Sequence, residues 1–143
     1  MRTREAIAAL IPHQGSMCLW EEVAEWDEAS ILLLSHGHRD PAHPLRRDGR
    51  LHAVHLCEYG AQAMAVHGGL LAARAGGAAK PGVLVALRGV RLHRARIDDL
   101  AGALEGRARQ LAAGADSWQY EFEIAHQGRL VASGRAAVMA RGD

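Results

Sequence analysis

One long amphipathic segment constrains the fold more than any other part of the chain. The segment Leu51–Ala75 is LHAVHLCEYGAQAMAVHGGLLAARA, and its apolar and small residues recur at helical spacing. Many of these residues are Ala or Gly, which lets another backbone approach closely. Glu58 and Gln62 are four residues apart and therefore share a face of the predicted helix. Because a buried carboxylate is costly unless it is paired or used in chemistry, Glu58 marks a candidate site, which we expect to be largely buried.

Composition and charge exclude several classes of function. The chain of 143 residues predicts one domain over residues 1–143, and its net charge of +1 does not indicate a nucleic-acid partner. Two cysteines, Cys18 and Cys57, form neither a disulfide framework nor a zinc motif. The long helix could span a bilayer, but Glu58, Arg74 and several histidines argue against a membrane location. No signal peptide is visible, so we expect a cytoplasmic protein.

The order of the predicted elements favours an α+β fold. A short helix, Thr3–Leu10, comes first, and an irregular stretch rich in histidine and arginine, residues 35–50, precedes the long helix. The predicted strands cover residues 17–26, 30–34, 83–96, 103–112, 118–125 and 130–139, and Gly89 within the third of them suggests a bulge or bend. The economical packing is an antiparallel sheet wrapped around the one long helix. A single sheet cannot cover both the helix and its own outer face, so we expect a dimer.

Three segments carry a resemblance to a known family. They are IPHQGSMCLWEEV near the start, HPLRRDG before the helix, and HAVHLCEYGAQAMAVHGG in the helix. Together they resemble the 3-hydroxyacyl-acyl-carrier-protein dehydratases of the hotdog fold, and EYGAQAMAVHGG is similar to the branch found with aryl-polyene pigment biosynthesis. The usual His-Phe-Pro run and the Pro-Gly pair before the helix are absent here.

The resemblance implies a reaction, partners and a way of assembly. The reaction is dehydration of a 3-hydroxyacyl thioester to a trans-2-enoyl thioester in fatty-acid or polyene biosynthesis, with no cofactor and no metal. The partners are an acyl carrier protein with its phosphopantetheine-linked acyl chain and a second hotdog subunit, in a homodimer or a heterodimer. In this fold the family's sites lie at the dimer interface, so histidine and acid would come from different subunits.

The chemistry of dehydration needs a base, an acid and donors to an enolate-like oxygen. Histidine suits the base, because its pKa lies near working pH, and a carboxylic acid suits the acid. The resemblance places the acid at Glu58 and the base at His43, which stands fifteen residues earlier before Pro44. His36 and His38 are rivals for the base, and His55, one turn before Glu58, could replace it or pair with the acid.

Free backbone amides at the start of a helix are suitable oxyanion donors. Ala53 takes the place of the family's glycine whose amide faces the thioester. We therefore expect Ala53, Val54, His55 and Gln62 to bind the substrate or its oxyanion. His13, in the first motif, is expected to hold its turn through a backbone hydrogen bond.

Other interpretations of the same residues remain open. A hotdog thioesterase would use Glu58 to activate water, and a non-catalytic subunit would only complete another chain's site, an alternative that the rewritten histidine loop favours. The histidines of residues 36–55 are dense enough to bind zinc, but their spacing is not that of a familiar metal site, and we expect no metal. Arg46, Arg47 and Arg50 could steer an acidic carrier protein or could be an ordinary solvated loop.

Overall fold

The computed structural model describes residues 3–12, 15–77 and 82–140. His13 lies outside these ranges, so its predicted turn contact stays a prediction. The helices are α1 (Arg4–Ala8) and α2 (Leu56–Arg74), with 3-10 turns at Gly15–Met17, Gly37–Arg39 and Ala53–His55. The strands are β1 (Glu22–Trp26), β2 (Ser30–Ser35), β3 (Gly82–Leu92), β4 (Leu104–Ala113), β5 (Ser117–His126) and β6 (Arg129–Ala140).

The six strands form one antiparallel sheet in the order β1-β2-β4-β5-β6-β3, with β1 and β3 at its edges. Helix α2 packs against the middle of the sheet, mainly on β4 and β5. The alternation of buried and exposed residues along β4 and β5 follows the two-residue period of the sequence. The structure thus confirms the predicted antiparallel sheet around one long helix, which is the hotdog fold.

The start of the long helix differs from the prediction. The helix begins at Leu56 rather than Leu51, because the residues before it pair with the chain that follows β3. The Leu51 amide donates to the Asp98 carboxylate at 2.9 Å, and the Ile97 amide donates to the Leu51 carbonyl at 2.9 Å. This pairing fixes the direction in which the chain enters α2.

Two strands are shorter than their sequence patterns indicated. The first strand begins at Glu22, because residues 15–17 form a 3-10 turn and the Leu19 amide is held by a side chain of α2 instead of a strand. The third ends at Leu92. The irregularity expected at Gly89 is confirmed, since Gly89 has a φ of +59° and the register with β6 shifts between Arg88 and Arg91.

The core between α2 and the sheet is close-packed around two aromatic rings. An added Cβ at Gly60 of α2 would stand 2.7 Å from the Phe122 ring, and one at Gly106 of β4 would stand 2.2 Å from the Trp20 ring. The Trp20 indole N–H also donates to the Tyr59 carbonyl at 2.8 Å. The absence of side chains at these glycines therefore sets how near helix and sheet approach each other.

This contact predicts the effect of a single methyl group. We expect Gly60→Ala to lower the free energy of unfolding by about 1–3 kcal/mol, because the new Cβ overlaps the Phe122 ring. Gly68→Ala, in the same helix, meets no atom within 4 Å and should instead gain up to about 1 kcal/mol from helix propensity. Urea unfolding of both variants tests this, and equal stabilities would contradict it.

Candidate active site

The acid of the candidate site lies where α2 begins. Glu58 is in the first turn of the helix and is mostly, though not fully, buried, as expected. Its position on the helix explains the remaining exposure, because Tyr59 and Leu56 face the core, whereas Cys57 and Glu58 lie at its rim. A carboxylate at the rim can reach both the protein's interior and a ligand.

Gln62 orients Glu58 and ties the helix to the chain that leads into β1. The Gln62 side chain is fully buried. Its amide nitrogen donates to the Glu58 carboxylate at 3.3 Å and to the Met17 carbonyl at 2.7 Å, and its oxygen accepts from the Leu19 amide at 2.9 Å. Both N–H donors are therefore used within the chain. The structure gives Gln62 a positioning role, and its contact with a substrate stays a prediction.

His43 lies beside Tyr59, the residue that follows Glu58 in the helix. Its ring is 8% exposed and nearly parallel to that of Tyr59, and its Nε2 is 3.0 Å from the Tyr59 hydroxyl. The Leu45 amide donates to His43 Nδ1 at 3.1 Å. Because Nδ1 accepts, the neutral ring carries its proton on Nε2 and donates it to Tyr59. Both ring nitrogens are thus engaged, and neither offers a lone pair to a substrate in this arrangement.

Burial, with smaller contributions from the neighbouring Arg46 and His55, lowers the pKa of His43 below its ordinary value. Tyr59, whose fully buried ring anchors this histidine, was not among the predicted site residues. A lone aromatic within a helix of small residues was the available signal. Burial also raises the pKa of the Tyr59 hydroxyl, so the hydroxyl stays protonated and neutral.

An open groove of about 750 Å³ lies next to the start of α2. Its apolar wall includes Pro44, Leu45 and Ala95. Its polar lining is basic apart from one carboxylate and consists of Arg46, Arg47, Asp48, Arg50, His52, His55 and Arg96. Burial, followed by the nearby charges of His52 and Arg47, lowers the pKa of His55. The groove therefore presents the neutral imidazole of His55, one turn before Glu58, together with several charged guanidinium groups.

The predicted oxyanion amides are occupied within the chain. The Ala53 amide donates to the Ala95 carbonyl at 2.9 Å, so in this arrangement it does not face a ligand. The Val54 amide donates to His52 Nδ1 at 3.0 Å, and this side chain caps the helical segment. Because His52 is exposed, its movement would free the Val54 amide for a ligand. Val54 itself is 47% exposed.

The two other candidates for the base, His36 and His38, have different surroundings. His36 is exposed, and its Nδ1 lies 3.7 Å from the Glu21 carboxylate. His38 is fully buried, its Nε2 donates to the Leu100 carbonyl at 2.7 Å, and its Nδ1 has no hydrogen-bond partner within the described part of the chain. Burial lowers the pKa of His38. Within the described residues, no three His, Cys, Asp or Glu side chains converge as metal ligands would.

Solved structures share the fold of this chain. The chain is similar to the dehydratase heterocomplex ApeI:P from Xenorhabdus doucetiae, with a TM-score of 0.86 and 23% identity over 96% of this chain and 91% of that one. It is also similar to a hypothetical thioesterase with coenzyme A from Streptococcus pneumoniae TIGR4, with a TM-score of 0.61 and 16% identity over 85% and 86% of the two chains. At these identities the likenesses show the hotdog fold.

A comparison with family models identifies the family. The model of the ApeP-like family, described as ApeP dehydratase, matches residues 5–143, and the chain belongs to this family. The match confirms the resemblance to the aryl-polyene branch of the dehydratases. No curated protein matches the sequence. Across the described ranges, no helix is both long and apolar enough to cross a membrane.

The burial of His43 predicts a dependence of stability on pH. An unfolded histidine titrates near about 6.5, and the folded ring titrates lower because burial disfavours its charged form. As the pH falls below about 6.5 the unfolded state binds protons first, so stability should be full above this pH and decline below it. Burial of His38 and His67 acts in the same direction.

An NMR titration of the ring protons measures this directly. We expect the His43 signals to titrate below about 6.5 and the difference in unfolding free energy between pH 7.5 and 5.5 to shrink in His43→Gln. A His43 ring that titrates at or above that value would contradict the lowering of its pKa by burial.

Proposed function

We propose that the chain takes part in dehydrating 3-hydroxyacyl thioesters, carried on an acyl carrier protein, to trans-2-enoyl thioesters for polyene biosynthesis. The observation that carries this proposal is Glu58, held by Gln62 in the first turn of α2 beside a basic groove. Membership of a dehydratase family supports the reaction type. The cytoplasmic location expected from the sequence stays a prediction.

The proposed reaction transfers two protons. A base removes the proton on Cα, and the electron pair of the broken C–H bond moves toward the thioester carbonyl, where an amide donor stabilises the oxygen. Glu58, in its protonated form, donates a proton to the 3-hydroxyl group as the C–O bond breaks and water leaves. The electron pair returns from the oxygen to form the C=C bond, and proton exchange with solvent restores both groups.

This chain supplies the acid, and the base comes from across a subunit interface, as the resemblance implies. His43 remains the predicted base, and its action requires that the contact between Leu45 and Nδ1 opens when a second subunit binds. His55 is the next candidate, because it lines the open groove. The closed arrangement of His43 also favours the second candidate function, in which this chain is a non-catalytic partner of an active dehydratase subunit.

The basic groove supports an acidic partner. Arg46 donates to the carbonyl groups of Gly49 and Arg39 at 2.8 Å each, and these hydrogen bonds hold the wall of the groove without neutralising the charge of Arg46. Arg47 and Arg50 are exposed and face each other across a tight turn. A carrier protein with its phosphopantetheine arm has the complementary charge. We propose that it docks on this side of α2.

The proposed role of Glu58 as the acid predicts the effect of replacing it. Glu58→Gln should lower kcat for dehydration by about 10²–10⁴-fold, because the amide keeps the shape but cannot donate the proton. Glu28→Gln removes a surface carboxylate whose ion pair is with Arg74, and this control should keep full activity. The assay follows loss of water from the carrier-bound substrate by mass spectrometry. Full activity of Glu58→Gln would show that Glu58 is not the proton donor. Release of a free fatty acid instead of an enoyl thioester would indicate a thioesterase.

The groove predicts a separate effect on substrate binding. The double variant Arg47→Glu/Arg50→Glu should raise KM for the carrier-bound substrate by about tenfold at low salt, while kcat/KM for a short thioester without carrier changes little. Arg129→Glu, an exposed reversal on β6, is the matched control. An unchanged KM in the double variant would place the carrier protein elsewhere.

A further inference from the structure

Arg96 has a fixed place in the wall of the basic groove. A short antiparallel pairing holds the backbone on both sides of it. Before Arg96, the Ala95 carbonyl accepts from the Ala53 amide at 2.9 Å, and after it, the Ile97 amide donates to the Leu51 carbonyl at 2.9 Å. The side chain of Arg96 lines the groove. Backbone hydrogen bonds therefore set where this side chain stands relative to the start of α2.

A buried carboxylate fixes the guanidinium of Arg96 as well. Asp98 is 7% exposed and accepts from Arg96 Nε at 3.1 Å and from a terminal nitrogen of the same guanidinium. It also accepts from the Leu51 amide at 2.9 Å. These contacts, with Arg96 as the largest cause, hold the pKa of Asp98 well below its ordinary value, so the carboxylate stays charged. Within the described residues, the other side-chain N–H donors of Arg96 make no hydrogen bond.

The other arginines of the groove are held differently. Arg46 uses both terminal nitrogens for backbone carbonyl groups. Arg47 and Arg50 are exposed, and no carboxylate among the described residues orients either side chain. Arg96 thus combines a fixed plane with free donors. A guanidinium fork that is oriented before binding matches two oxygens of a phosphate and loses little freedom when the phosphate binds.

The apolar wall of the groove indicates which kind of anion Arg96 would meet. Pro44, Leu45 and Ala95 line the same groove, so a ligand that fills it joins an anionic group to an uncharged, partly apolar chain. A pantetheine arm has this form, because a phosphate is followed by amide and methylene groups that end in a thiol or thioester. A free phosphate lacks the chain, and a free fatty acid lacks the polar amides.

We propose that Arg96 binds the phosphate of a pantetheine arm and that Asp98 is the positioning residue that holds the guanidinium for it. This rests on the thioester substrate of the proposed function, and it goes further by naming the residue that recognises the phosphate and the residue that orients it. The same phosphate occurs in an arm on a carrier protein and in coenzyme A, so both sources share the chemistry of the site.

Binding of 4′-phosphopantetheine and of pantetheine to the full chain tests the proposal without any reaction. Isothermal titration calorimetry at low salt measures both affinities. We expect the phosphate to tighten binding to the wild type by about tenfold. Arg96→Gln should bring the ratio of the two affinities close to one, because it removes the fork that contacts the phosphate. An unchanged ratio in this variant would overturn the proposal.

Asp98→Asn separates positioning from charge. The new side chain keeps an oxygen that can accept from the Leu51 amide, but it no longer forms the ion pair with Arg96. Removal of a negative charge near the groove would by itself tighten binding of a phosphate. Loss of positioning should instead weaken binding of 4′-phosphopantetheine by about threefold or more. Tighter binding than in the wild type would overturn the positioning role.

Asp99→Asn is the matched control. It removes the neighbouring carboxylate, which is exposed and pairs with Arg94 at 3.2 Å, and neither of these residues lines the groove. This variant should keep the wild-type ratio of affinities. Circular dichroism verifies that each variant is folded. A loss in Asp99→Asn equal to that in Asp98→Asn would show that the effect does not come from the orientation of Arg96, and would overturn the proposal.

Competition distinguishes the two sources of the arm. A carrier protein that bears its phosphopantetheine arm should displace 4′-phosphopantetheine at a lower concentration than coenzyme A does. The reverse order would support the Arg96 site and reject the carrier-bound substrate of the proposed function. Dehydration of a carrier-bound substrate by a chain whose binding of the phosphate does not depend on Arg96 would reject this inference and leave the proposed function intact.

Discussion

The buried side-chain amide of Gln62 is the interaction on which the site depends. It joins the residues before β1 to helix α2, and it also holds the carboxylate of Glu58 one turn earlier in the same helix. A buried amide that lost any of these contacts would leave an unsatisfied polar group in the core, which costs about 1–3 kcal/mol. The fold therefore fixes the orientation of Glu58 through the same contacts that fix the path of the chain into the sheet. Stability and the proposed chemistry are coupled at this residue.

The histidines show how hydrogen bonding, rather than position alone, decides what a side chain can do. His43 lies at the start of α2, but Leu45 and Tyr59 occupy both of its nitrogens. His38 is held by a carbonyl in the interior, whereas His55 lines an open groove. An oriented acid beside a histidine whose two nitrogens are engaged is consistent with the proposed site that two subunits share.

The amino-acid pattern predicted the fold well, because helical and strand periodicities are local properties of the sequence. It placed α2 within five residues at its start and one at its end, and it anticipated the irregularity at Gly89. It predicted the start of the helix at Leu51, five residues too early. The contact of Leu51 with Asp98 keeps these residues out of the helix, and it joins residues 47 positions apart, so no local pattern indicates it. The engagement of His43 by Tyr59 was missed for the same reason. It depends on which face of α2 meets the core, and a nearly uniform surface of small residues does not reveal that face.

The proposed role of Glu58 is the addition and removal of water at C3 of a carrier-bound acyl chain. Because a dehydratase catalyses its reaction in both directions, the most direct measurement runs it in reverse. The chain and a second hotdog subunit are incubated with a trans-2-enoyl carrier protein in water labelled with heavy oxygen, and mass spectrometry locates the label. We expect the label in the 3-hydroxyl group of the thioester, and labelling about 10²–10⁴-fold slower when Glu58→Gln replaces the wild type. A label found in a free carboxylic acid, or one that enters C3 equally well without Glu58, would contradict this role.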